Sequence, residues 1–317
     1  MITSARAVCL GETMGLLAAT SVGRLSHVGE MALGIGGAES NVAVALSRLG
    51  VPTAWTGRLG ADAIGDRVVR ELTAEGIVVH AVRDPDAPTG LMLKERLPGG
   101  RVRVWYHRKH ASGARLVPSD VDAELVAGAE LLHVTGISPA LGEGPGAAAR
   151  HAVALAHEAG TLVSVDVNHR SALWSDEAAA PALRALAASA DLLYAGDDEA
   201  RLTLGVAWTD PERLARGLAE LGPSEVVIKQ GAEGALALHG GTVLAEPAVP
   251  VEVVDPVGAG DAFVGAHLAG RLAGDGPAAR LRAAVTAGAL LCTVPGDWEA
   301  LPFPDDLAAF GGPDVTR

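Results

Sequence analysis

Aromatic side chains are scarce in this chain: Phe, Trp and Tyr together occupy only ten of 317 positions. That is too few for the stacked-ring platforms on which single-stranded nucleic acids bind. Basic residues are also in deficit, 25 Lys and Arg against 38 Asp and Glu, for a formal charge of −13. The balance argues against a nucleic-acid partner or an anionic membrane surface, since both call for a basic face. An anionic ligand would have to be held by local positive groups. The two cysteines, Cys9 and Cys292, lie far apart in apolar surroundings. They give neither metal-ligand spacing nor a disulfide framework, and read as structural thiols of a protein in a reducing cytoplasm. No uninterrupted apolar run approaches the roughly 20 residues that span a bilayer, and the start of the chain carries no long apolar leader segment. The expectation is a soluble, unexported protein. Also missing are H-E-x-x-H, G-x-S-x-G and G-x-x-x-x-G-K-[ST], which removes the zincin, the serine-hydrolase elbow and the Walker A loop. His151 and His157, six apart, do not share a helix face as metal ligands would, and His133, inside an apolar strand, reads as a core residue.

What the chain does have is alternation. Short β-branched runs at 7–11, 53–57, 131–136, 161–168, 191–195 and 225–229 alternate with Ala/Leu-rich segments of helical period at 39–50, 62–75, 144–159, 177–189, 211–221, 261–273 and 278–292. Such repetition predicts an α/β/α sandwich around a mostly parallel sheet, with ligands beyond the carboxyl ends of its strands. Residues 13–35 and 88–109 break the rhythm with strand-like patterns and no helices, the second reading as a hairpin that turns at Pro98-Gly99-Gly100. The expected organisation is therefore an α/β body of 1–12, 36–87 and 110–317 carrying a small β-sheet lid of 13–35 and 88–109. A lid serves where water must be kept from a reaction. An exposed sheet face of this kind is commonly covered by a second copy, so a homo-oligomer through the lid is expected.

The stretch "DPVGAGDAF", 255–263, precedes the penultimate helix. It fits no dinucleotide fingerprint, which would need its third glycine where Phe263 stands. Glycines there let backbone N–H groups approach an anion closely at the positive end of a helix, and put Asp261 in the first turn. Asp261 could simply cap the helix. The other reading is a carboxylate that takes a proton from a hydroxyl beside a hole that holds migrating negative charge, which is what phosphoryl transfer requires.

With "GIGGAESNVAVALSRLG" at 34–50, this stretch resembles the paired signatures of the ribokinase-like (PfkB-type) carbohydrate kinases. The segments "TGLMLKERL", "WYHRK", "SVDVNHR" and "EVVIKQGAEGA" are most similar to those of 2-keto-3-deoxygluconate kinases within that family. The resemblance implies transfer of the ATP γ-phosphate to a sugar hydroxyl with the help of Mg²⁺, and in some relatives a monovalent cation. Carried over, Asp261 would be the base and Gly258, Ala259 and Gly260 the anion hole. Gly37 and Asn41 would touch the sugar, an assignment that also suits their chemistry, although Asn41 could simply be an N-cap.

Arg108 and Arg170, each a plausible solvated surface residue by itself, match positions that grip substrate or nucleotide phosphates in those kinases. A guanidinium fork suits the carboxylate of a sugar acid. One charge-assisted bond of about 1.5–3 kcal/mol would favour an acid over a neutral sugar by roughly 10- to 150-fold. Tyr106 could add a hydroxyl contact, and Asp297 matches a sugar-reaching position. On the nucleotide side the resemblance implies Asn168, Arg170, Lys229, Gly231 and Gly234 together with the anion-hole residues. Glu199 matches a residue that orients Mg²⁺ and phosphates through metal-bound water, but Gly196 stands where relatives carry Asn. Val285, Met92 and His107 also depart from the common pattern. The reading is a kinase of a sugar acid, 2-keto-3-deoxygluconate above others, with a neutral-sugar or nucleoside kinase, or a non-catalytic binding protein on the same scaffold, as alternatives.

Overall fold

The computed structural model describes residues 5–99 and 101–310. Thirteen strands occur among them: β1 Ala7–Leu10, β2 Met14–Ala19, β3 Met31–Gly36, β4 Thr53–Gly60, β5 Val78–Asp84, β6 Leu91–Leu97, β7 Arg101–His107, β8 Leu131–Thr135, β9 Leu162–Asp166, β10 Leu192–Gly196, β11 Glu225–Lys229, β12 Ala235–His239 and β13 Thr242–Glu246. Nine build one sheet in the order β13-β12-β11-β10-β9-β8-β1-β4-β5, and β3-β2-β6-β7 build a second. From β5 to β11 every pairing in the large sheet is parallel; β12 and β13 add an antiparallel edge.

Period-two alternation explains the three layers. Ala7 and Cys9 enter one core, with Val42 and Leu46 of helix Ala38–Arg48, Phe263 and Leu268 of helix Ala259–Ala273, and Leu281 of helix Pro277–Leu291. Val8 and Leu10 enter the other, with Ala148 and Ala152 of helix Glu143–Ala159, Leu183 of helix Asp176–Ala187 and Leu214 of helix Pro211–Ala219. Both faces of β1 are thus buried, as parallel sheets require. His133 is fully buried, its Nδ1 3.0 Å from Ser164 Oγ, and burial drives its pKa down to about 3. It is the core histidine its apolar strand suggested.

In the second sheet β2 and β6 run parallel at the centre, and β3 and β7 flank them antiparallel. The expected hairpin is β6 and β7; Gly100 of its turn lies outside the described residues. Among the described residues no helix is long and apolar enough to cross a membrane.

Candidate active site

One cleft lies between the second sheet and the carboxyl ends of the large sheet's strands. It is lined by Gly37, Asn41, Tyr106, Arg108, Arg170, Gly258, Asp261 and Asp297, and also by Glu12, Glu39, Met92 and Lys94. Eight residues singled out from the sequence therefore meet around one volume, although they come from opposite ends of the chain.

Helix Ala259–Ala273 begins at Gly258, whose φ of +85° is the left-handed conformation that glycine adopts freely. A Cβ there would stand 2.1 Å from the Asp297 carbonyl oxygen, so the position needs glycine for space as well. One of the three amides expected to form an anion hole is engaged within the chain. Ala259 N–H donates to Pro256 O at 3.3 Å, the bond that closes the turn. Among the described residues the amides of Gly258, Gly260 and Asp261 have no such acceptor and stand unengaged at the positive end of the helix.

Asp261 is 7 % exposed. Burial pushes its carboxyl up to about 7, against the pull of the Arg170 charge and of the bond from Asn41. Asn41 is not an N-cap. It sits in the first turn of helix Ala38–Arg48, whose N-cap is Gly37, and its Nδ2 donates to Asp261 Oδ2 at 2.9 Å and to Asp297 Oδ2 at 3.3 Å. Burial also raises the Asp297 carboxyl. Gly37 packs so closely on the turn after β1 that a Cβ would meet Glu12 O at 2.3 Å.

The two arginines differ. Arg108 is 6 % exposed, not a solvated surface residue, and its Nη2 is ion-paired with the buried Glu12 carboxylate. Its guanidinium lies 5.3 Å from the Tyr106 ring centre, within cation–π range. Arg170 is exposed and, among the described residues, has no carboxylate partner. It is the cleft's cation most open to an incoming anion.

Toward β9–β11 lies a second group. Lys229 Nζ is 2.8 and 2.7 Å from the two Asp166 oxygens, and a Cβ on Gly260 would stand 3.6 Å from that Nζ. The lysine thus lies beside the helix end. Asn168 has φ +41°, the only non-glycine left-handed residue among those described, where the chain leaves β9 toward Arg170. Glu199 spends both carboxylate oxygens on backbone amides, His169 N at 2.8 Å and Gly196 N at 2.7 Å. Among the described residues no three His, Cys, Asp or Glu side chains cluster as a metal cage. Mg²⁺ commonly keeps several waters and is held through substrate phosphates, so it does not require such a cage. Gly231 and Gly234 are not in the cleft. Gly234 has a structural cause: at φ +104° a Cβ would meet Glu246 O at 2.1 Å.

Sequence reasoning missed Glu12, Glu39, Lys94, Asp166 and Asp255. Two signals were there. Asp255 opens the quoted turn, and Lys94 shares strand parity with the buried Met92, an interior position for a charge. Glu39, whose carboxyl burial pushes up to about 7, donates nothing and accepts from Thr135 Oγ1 at 2.6 Å.

The chain matches the model of the pfkB family carbohydrate kinases over residues 4–304. It is 39% identical over 303 residues to the 2-dehydro-3-deoxygluconokinase of Thermoproteus tenax, covering 94% of this chain and 91% of that one. It is 35% identical over 305 residues to the 2-dehydro-3-deoxygalactonokinase of Haloferax volcanii, covering 96% of each. Its fold superposes on the crystal structure of a putative ribokinase II from E. coli in complex with ATP and Mg²⁺, with a TM-score of 0.89 at 26% identity over 96% of this chain and 98% of that one. Matched over nearly its whole length by the family model and its relatives, and with a buried carboxylate beside free helix-start amides, the chain belongs to the pfkB family of carbohydrate kinases, phosphotransferases whose acceptor is an alcohol.

Proposed function

We propose that this protein transfers the γ-phosphate of ATP to the terminal hydroxyl of a sugar acid, 2-keto-3-deoxygluconate, giving its 6-phosphate. The observation that carries the reading is the pairing of the Asp261 carboxyl, held near 7, with the unengaged amides of Gly258, Gly260 and Asp261 at the same helix end. The carboxylate takes the hydroxyl proton, and the amides hold the charge that moves with the phosphoryl group. Asn41 holds the carboxyl group in orientation through its bond to Oδ2. Lys229 and Asn168 would flank the nucleotide phosphates, and a Mg²⁺ bound with them would supply neutralisation of their charge.

The acidic substrate is supported by the unpartnered Arg170 and by the names of the two relatives. Arg108 contributes a buried positive field, partly offset by Glu12. The Haloferax likeness favours a second reading, the galactonate epimer, in the same cleft.

The exposed Trp105 and Leu33 on the second sheet, 49 % and 38 % accessible, support a homo-oligomer through that face. The free thiols of Cys9 and Cys292 agree with a cytoplasmic setting. The experiment is an acceptor panel with Mg-ATP: 2-keto-3-deoxygluconate, its galactonate epimer, fructose, ribose and adenosine, read as ADP release. The keto-deoxy acids should give the highest kcat/KM. A neutral sugar or adenosine leading the panel would overturn the substrate, and no ADP with any acceptor would favour a binding protein.

A further inference from the structure

Lys94 places a charge where a strand interior normally carries an apolar side chain. It lies on β6, in the middle of the second sheet, with its side chain 2 % exposed. Its Nζ is 2.6 Å from Asp255 Oδ2, donates to the carbonyl of Gly296, and lies 4.0 Å from Asp297 Oδ1. The partner carboxylate is itself tied down: Asp255 Oδ1 accepts from Val257 N at 3.1 Å and Oδ2 from Gly296 N at 3.3 Å. One ammonium and one carboxylate therefore join β6, the turn that leads to Gly258, and the segment that carries Asp297. Asp297 Oδ2 shares the Asn41 amide with Asp261 Oδ2, and Gly258 starts the helix that carries Asp261.

A buried ion pair is a poor source of stability, and an apolar side chain of similar volume commonly serves as well. What an apolar residue would not supply is a positive charge fixed among oxygens. A carboxylate and a backbone carbonyl are hard oxygen donors of the type that hold simple cations. Beyond Lys94 the same place opens on a separate cavity of about 310 Å³, bordered by Thr20, Gly34, Arg96, Gly296 and Glu299. Solvent ions would reach Asp255 from there if the lysine were cut back.

We propose that Lys94 is a positioning residue for phosphoryl transfer: its tethered ammonium fills an oxygen-lined cation site between Asp255 and Gly296, sets the anion-binding turn against Asp297, and frees the enzyme from dependence on dissolved monovalent cations. The inference rests on the kinase reading above.

The test uses the full chain as wild type, Lys94→Ala and Lys94→Met, each assayed with Mg-ATP and the best acceptor in tetramethylammonium, potassium or ammonium chloride at equal ionic strength. Wild-type kcat should agree within about twofold across the three salts, while in tetramethylammonium both variants lose at least about tenfold in kcat with a smaller change in the KM for ATP, as misplaced catalytic groups do. Potassium or ammonium should restore Lys94→Ala in a saturable manner and leave Lys94→Met low, because the methionine chain fills the space. A wild type that needs potassium, a Lys94→Ala enzyme with normal kcat, or a loss that no small cation repairs would each overturn the proposal. Thermal unfolding provides the second readout: potassium should raise the midpoint of Lys94→Ala above its value in tetramethylammonium and leave wild type unmoved, and equal midpoints count against the site. If wild type releases no ADP with any acceptor, the kinase reading fails, and the salt-dependent melting still decides whether the cation site exists.

Discussion

Asn41 and Asp261, 220 residues apart in the chain, are joined by a 2.9 Å hydrogen bond from Nδ2 to Oδ2. The amide favours the charged carboxylate, and burial opposes it with the larger effect, leaving the group at about 7. A base must be unprotonated to accept a proton, so log kcat should rise with pH through about 7 and then level. Asn41→Leu removes the donor and should move that limb to higher pH, measured as full pH profiles of both enzymes. An unmoved limb would take Asp261 out of the titration.

Asp261→Asn should lower turnover by roughly 10²–10⁴ with ATP affinity largely kept. Stability should move the other way. Because the folded carboxyl binds its proton more tightly than the unfolded one, the fold holds more protons between the two values, and wild-type stability falls as pH rises from about 4 to about 7. Above that range the buried charge carries its full penalty. The amide variant should therefore melt at the same temperature as wild type or higher at pH 8, and a clearly lower midpoint at pH 8 would contradict the burial argument.

The two arginines should separate by readout. Arg170→Ala is expected to raise the KM for an acidic acceptor by roughly 10-fold or more while a neutral sugar is little affected, the loss of one charge-assisted contact. Arg108→Ala strips the partner from the buried Glu12 and should cost about 3–5 kcal/mol of stability. Burial already drives the Glu12 carboxyl upward against the pull of Arg108. Without the arginine Glu12 escapes the penalty by protonation in acid, so urea midpoints should fall further at pH 8 than at pH 5. An equal loss at both would mean that Glu12 does not change its protonation state between them.

Gly258→Ala combines an unfavourable φ of +85° with a methyl 2.1 Å from the Asp297 carbonyl oxygen. Strain of this kind is worth about 1–3 kcal/mol, and the turn must shift to relieve it. Urea denaturation should detect the loss, and turnover should drop with it. A variant with wild-type stability and turnover would mean that the turn has slack.

The alternation of apolar runs and helical segments was legible because both faces of the large sheet are covered, so its strands are written as nearly continuous hydrophobic runs. β12 and β13 were harder to see because they form an antiparallel edge whose outer strand is largely half-exposed. The helix Asp197–Leu204 was hidden by its three leading acids, which serve its N-terminus and leave little apolar pattern. In the site, residues inside the two glycine-rich signatures could be read from local sequence. Glu12 and Asp166 could not, since each owes its role to a partner far away in the chain, Arg108 and Lys229, and the strand pattern that marks Lys94 as interior says nothing of its distant partner Asp255. Arg108 illustrates the same limit from the other side, because nothing in "WYHRK" tells of the carboxylate that buries it.

The small sheet draws its strands from two separate stretches of chain, β2 with β3 and β6 with β7, joined along the parallel β2–β6 seam. The polypeptide consequently crosses between the two sheets four times. Transplanting the small sheet from a relative to alter sugar choice would need both inserts exchanged together, since swapping one alone would pair native and foreign strands along that seam. A swing of the sheet over the cleft would likewise have to bend four connectors at once, favouring rotation of the whole sheet over the flapping of any single loop.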